Sequence, residues 1–166
     1  TIYTRLQEAG APTTFASYFG FTQKDIKGKA IAGADEHLVK ALLKDSTGLS
    51  YSTPGLIYDL DSRKIKNGIS VLPVDLDDSG RVASSERFAE DLDQVIQVLE
   101  QDDIKNIPVD HIHLSLKKLN HKREALEFLL WVLHNSQDDI HQFGFLKPDP
   151  KRFEKEKKKF EQLASK

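Results

Sequence analysis

The sequence of 166 residues contains no cysteine and no methionine. Without cysteine, no disulfide can form, and thiolate nucleophiles and thiolate metal ligands are excluded. This fits a cytosolic or a periplasmic setting equally. Methionine is missing even at the first position, and the opening Thr1-Ile2-Tyr3-Thr4 reads as a strand already under way. The expectation is a fragment of a longer chain, or a sequence from which modified methionines are missing. No apolar run reaches the roughly 18 residues that a membrane-spanning helix needs. An excess of one charge sign is also absent: 24 basic against 26 acidic side chains leave a net charge of −2, which gives no global reason to expect nucleic acid. No nucleophile elbow, P-loop or dinucleotide fingerprint occurs, and no paired acid and base stands out, so a non-enzyme is expected. The length suits one domain, or one and a half lobes of something larger, with a sizeable core.

The most specific motif present is Asp75-Leu76-Asp77-Asp78-Ser79-Gly80-Arg81-Val82-Ala83-Ser84-Ser85-Glu86. Its oxygen-bearing residues fall at loop positions 1, 3, 5 and 12, with glycine at 6 and an aliphatic residue at 8. This is the spacing of an EF-hand calcium loop. Asp75 and Asp77 would each give a carboxylate oxygen, and Ser79 a hydroxyl or a water-mediated contact. Arg81 would give its backbone carbonyl, Glu86 would bind through both oxygens, and Val82 would point inward. The flanks differ from an EF-hand. Ile69 to Val74 is rich in β-branched residues and reads as an incoming strand. Ser84 to Glu100 reads as a helix with Phe88, Leu92, Val95, Ile96 and Leu99 on one face. A strand-loop-helix calcium site is therefore expected ahead of a helix-loop-helix sensor. The alternative is a plain Asp/Ser/Gly turn, with Ser84 or Ser85 capping the helix and Glu86 favoured by its dipole.

Along the chain, a strand is expected at Ile2 to Thr4, then a helix capped by Thr13 or Thr14 and ended by Gly20. A short helix follows at Gln23 to Ile26, then a small-residue loop at Ala30 to Ala34. Asp35 should cap a helix through Lys44 with Leu38, Leu42 and Leu43 inward. A strand is expected at Leu49 to Thr53, a short helix started by Pro54, and a turn at Asn67-Gly68. Ile107 to Leu116 reads as a strand, His121 to His134 as a long helix that could extend to Gln142, and Arg152 to Leu163 as a charged last helix. Strands alternating with helices predict an α/β fold.

Four stretches, in order, resemble the second half of the periplasmic phosphate-binding proteins, the solute receptors of ABC transporters. Thr4-Arg5-Leu6-Gln7-Glu8-Ala9-Gly10-Ala11, running on to Phe15, sits like that family's Arg-x-x-x-Ser-Gly-Thr phosphate loop. Gly33-Ala34-Asp35 and then Thr47-Gly48-Leu49-Ser50-Tyr51 look like its glycine loop, helix and following strand. His113-Leu114-Ser115-Leu116 looks like its late strand. Leu126 to Phe145, with Gly144-Phe145-Leu146-Lys147-Pro148, is similar to its C-terminal helix and turn. The resemblance implies a periplasmic-binding-protein-like lobe, a mixed sheet flanked by helices, in a fragment of a two-lobe receptor. Residues 1–105 would form most of one lobe and 106–166 the returning segment of the other. It further implies phosphate or a similar oxyanion as ligand, a transporter permease as partner, and a periplasmic or extracellular, envelope-associated location. Arg5, Ala9, Gly10 and Ala11 would be this half of the anion site. Ala9 and Ala11 replace the family's hydroxyl residues, so the ligand is open. An adhesion or signalling module that reuses the lobe is the alternative.

Two weaker groupings complete the candidates. His111 and His113, with His121, His134 or His141, could build a zinc or nickel site. Asp59 and Asp61 form a carboxylate pair in a charged turn. Lys155, Lys157, Lys158 and Lys159 are interleaved with Glu154, Glu156 and Glu161 and read as a solvated helix face.

Overall fold

A computed structural model describes residues 1–101, 107–115 and 123–164. The chain divides into two compact units, Thr1–Asp110 and His111–Lys166. The expected boundary at 105–106 lies outside the described residues.

The first unit is built on a two-stranded parallel sheet, β1 (Tyr3–Arg5) beside β2 (Lys29–Ile31), with Thr4 opposite Ala30. The expected small-residue loop at Ala30 to Ala34 therefore begins as a strand. Gly28 allows the pairing: a Cβ there would lie 2.5 Å from the Ile2 carbonyl oxygen. Helix α1 (Gly10–Tyr18) and a 3-10 turn at Gln23–Asp25 form the crossover between the strands. Helix α2 (Asp35–Leu42) packs on both strands and on the single turn α3 (Pro54–Ile57). Its buried face is Leu38 and Val39, while Leu43 is exposed. This corrects the expected inward set, because the helix ends at Leu42 and Leu43 falls past the last turn. Only Leu49 of the expected strand Leu49 to Thr53 bridges, to Ile2.

Asp45 ties this unit together. Its carboxylate accepts from the Thr47 hydroxyl at 2.8 Å, the Thr47 N–H at 3.0 Å and the Tyr3 hydroxyl at 3.0 Å. These bonds, the Thr47 hydroxyl first, lower the Asp45 pKa to about 2. A carboxylate whose folded pKa is depressed adds stability above its ordinary value of about 3.9 and loses it as pH falls through the folded value. Asp45→Asn is accordingly expected to flatten the acid limb of the stability curve between those two values. The check is denaturant unfolding followed across that range; an unchanged limb would show that Asp45 does not carry it.

Helix α4 (Leu92–Leu99) is shorter than expected. Asp91 caps it by accepting from the N–H groups of Asp93 and Gln94 at 2.9 and 3.1 Å. Leu92, Val95 and Ile96 form its buried face. Ion pairs Lys64–Asp91 at 2.7 Å and Arg63–Asp93 at 2.8 Å hold it to the segment before it. Residues 84–91 are a 3-10 turn, Ser84–Glu86, and irregular backbone. Residues 69–74 carry no ladder among the described residues, so the expected incoming strand is extended chain only.

In the second unit, α5 (Arg123–Asn135) packs on α6 (Pro150–Ala164), with a 3-10 turn at Ile140–Phe143 between them in the chain, and Leu129 of α5 is buried. Gly144 ends that turn at φ 76°. The described part of the expected strand at 107–116 shows no pairing, and Leu116 and His121 lie outside the described residues. No described helix is long and apolar enough to cross a membrane.

Candidate functional site

The Asp75–Glu86 loop folds by turning acidic side chains onto its own backbone. Asp75 accepts from the Ser79 N–H at 3.1 Å and the Gly80 N–H at 2.6 Å, and Asp77 accepts from the Ser79 N–H at 3.0 Å. Asp78 and Gly80 both adopt left-handed backbone, at φ 60° and 80°, which makes the sharp bend. Glu86 closes the loop. One carboxylate oxygen accepts from the Leu76 N–H at 2.5 Å and the other from the Ala83 N–H at 2.6 Å. It is only 6% exposed. The helix N-cap role expected for Ser84 or Ser85 is absent, since the 3-10 turn follows Ala83 and α4 starts at Leu92, capped by Asp91.

The result is a cluster. Ligand oxygens of Asp75, Asp77 and Glu86 lie within 4.8 Å of one another, and the three residues could hold a metal ion. Beside them the Ser79 hydroxyl donates to the Arg81 carbonyl at 3.0 Å, so the oxygens at positions 5 and 7 are also neighbours. No cationic side chain pairs with Asp77 or Glu86 among the described residues. Hydrogen bonding from Ser79 lowers the Asp77 pKa. Carboxylates this close repel each other, and a cation offsets that repulsion. The donor set, all oxygen, suits a hard divalent cation. Val82, expected to point inward, is half-buried.

The anion-loop residues assemble around the end of β1. Arg5 is largely buried, with 14% of its side chain exposed, and its Nη1 pairs with Asp35, the first residue of α2. Its Nε is buried and has no hydrogen-bond partner among the described residues. Ala9 is the N-cap of α1 and has no side chain to cap with; Gly10 and Ala11 are its first two residues. Helix α1 thus starts a turn earlier than the Thr13 or Thr14 cap expected. The N–H groups of Gly10 and Ala11 have no hydrogen-bond partner among the described residues. Gln23, which no local pattern marks, clamps the segment. It accepts from the Ala9 N–H at 3.3 Å and donates to the carbonyls of Gln7 at 2.9 Å and Arg5 at 3.3 Å. A groove of about 290 Å³ opens beside Arg5, lined by Thr4, Arg5, Leu6, Glu8, Gln23, Lys24, Ile26, Gly28 and Ala30; Ala9, Gly10 and Ala11 are not among its walls. Asp110 also reaches α1, accepting from the Thr14 hydroxyl at 3.0 Å, with Oδ2 3.7 Å from where a Cβ on Gly10 would stand. Nothing in the local sequence marks Gln23 or Asp110, because both act over long sequence separations.

The remaining candidates are not brought together. His111 and His113 have ring centroids 6.4 Å apart, and no third ligand joins them among the described residues. His134 faces Glu161 at 3.3 Å. Asp59 accepts from the Ser62 N–H and hydroxyl, both at 2.8 Å, and so serves a turn. No family model, no curated protein and no solved structure matches this chain, so comparison with known proteins assigns it to no family.

Proposed function

We propose that the chain is a non-catalytic binding module for a small oxyanion of the phosphate type, carrying a calcium ion as a fixed structural part. The observation that carries the anion reading is the start of α1. Among the described residues, two N–H groups without partners stand on the same short segment as a largely buried Arg5 whose Nε is unsatisfied. A helix N-terminus and an arginine are the groups that recognise an oxyanion. Both lie at the carboxyl end of a strand in a parallel pair, where α/β folds place ligands. The resemblance to phosphate receptors of ABC transporters points to the same residues. In that setting the module would deliver its ligand to a permease outside the cytoplasmic membrane.

Calcium is favoured for the loop by the twelve-residue spacing of its oxygen-bearing positions, which is that of an EF-hand loop. The carboxylate oxygens of Asp75, Asp77 and Glu86 lie within 4.8 Å of one another, close enough to share one ion.

A second reading, an adhesion or signalling module, draws on Ala9, Ala11 and Asp110. The two alanines offer no hydroxyl donor, and the Asp110 carboxylate already stands near Gly10. Calorimetric titration of the protein with phosphate, sulfate and molybdate separates the two. Heat with any of these oxyanions is the expected result, and no heat with all three would leave the second reading standing.

A further inference from the structure

Asn67 and Gly68 occupy the exposed turn that leads from the α3 segment towards the metal loop. The turn is closed by the Ile69 N–H donating to the Lys66 carbonyl at 3.2 Å, with Gly68 at φ 83°. Two features of this turn are chemical. The Asn67 carboxamide makes no hydrogen bond among the described residues, so nothing holds it away from the backbone that follows. The Gly68 N–H is likewise without a partner among the described residues, and glycine places no side chain beside its own nitrogen.

We propose that Asn67 is a site of spontaneous succinimide formation, which makes this turn a chemical ageing point of the chain. The Gly68 nitrogen loses its proton and attacks the Asn67 Cγ. A C–N bond forms, the Cγ–Nδ2 bond breaks, and ammonia leaves carrying the displaced proton. Water then opens the cyclic imide at either carbonyl, giving aspartate or isoaspartate, so one water is consumed for each ammonia released. Either product adds one negative charge, taking the formal net charge from −2 to −3. The isoaspartyl product also inserts one carbon into the main chain. That insertion falls between Lys66, whose N–H donates to the Ile57 carbonyl at 2.9 Å, and the extended segment ending at Asp75.

Asn135 supplies an internal contrast. It precedes a serine, ends α5, and its Nδ2 donates to the Trp131 carbonyl at 2.9 Å. The test is incubation of the folded protein at mildly alkaline pH, followed by tryptic mass mapping. The fragment Asn67–Arg81 contains a single asparagine and no glutamine, so a gain of one mass unit in it reports Asn67 alone. We expect that fragment to convert within an order of magnitude of the rate of the free peptide of the same sequence. The fragment carrying Asn135 should keep its asparagine, and Asn67→Gln should remove the gain. If the folded protein shows no gain over an interval in which the free peptide converts fully, the proposal is overturned.

Discussion

Chelating calcium is expected to lower the melting temperature of this protein by about 10–20 °C, and Glu86→Gln to abolish the difference. The magnitude follows from mass action: an ion at a hundredfold over its dissociation constant stabilises the folded state by about 2.7 kcal/mol, and each kcal/mol moves the midpoint of a domain of roughly 100 residues by about 4–8 °C. Glu86 is the residue to change because both its oxygens are committed to the loop's own backbone. In the variant, a carboxamide NH₂ meets one of the two N–H donors, Leu76 or Ala83, leaving that donor unsatisfied at a cost of about 1–3 kcal/mol. The variant should therefore melt lower than the parent even under chelator and should ignore added calcium. Asp77→Asn should fall between, since its oxygen can still accept from the Ser79 N–H while one negative charge is lost. Calcium and chelator giving the same melting curve for the unaltered protein would remove calcium from the account and leave the loop as a turn.

The second large effect concerns Arg5. Arg5→Ala is expected to weaken oxyanion binding by a hundredfold or more while leaving the protein folded. Two charge-assisted hydrogen bonds from one guanidinium are together worth about 3–6 kcal/mol at this scale. The folding cost is smaller because Asp35, 28% exposed, keeps a favourable place at the start of α2, where the helix dipole welcomes a carboxylate. Arg5→Lys should recover charge but not the planar fork, and so bind only partly. Isothermal titration reports affinity, and circular dichroism checks the fold. Affinity unchanged in a folded Arg5→Ala protein would move the anion site away from α1.

Some of this was legible in the sequence and some was not, for physical reasons that differ by element. The twelve-residue spacing was legible because a loop is local: offsets along the chain decide which oxygens meet, and Asp75, Asp77 and Glu86 do meet. The buried face of α4 was legible because Leu92, Val95 and Ile96 keep helical period. The start of that helix was misplaced because Ser84 looks as good a cap as Asp91, and only tertiary placement chooses. The strand β2 was missed since a three-residue parallel strand is held by backbone bonds and leaves little side-chain pattern in Lys29-Ala30-Ile31. The reverse error befell Ile69 to Val74, whose β-branched residues suggested a strand that finds no partner among the described residues. Thr13 and Thr14 looked like caps, but their hydroxyls reach Gln23 and Asp110 instead. The Arg5–Asp35 pair joins residues 30 positions apart, and nothing local could announce it.

The two bonds from Leu76 and Ala83 to Glu86 have a consequence for signalling. A messenger protein works by having two shapes of unequal affinity, so that an arriving ion tips the balance between them. Here the twelfth-position carboxylate is anchored by the loop's own amides, within the chain, close to the oxygens it would share an ion with. An ion entering such a loop finds its ligands already in place, and there is little rearrangement left to broadcast. On the proposed reading the loop would behave as a rivet: it would fasten two ends of a bend, and its occupancy would be read in endurance, not in information.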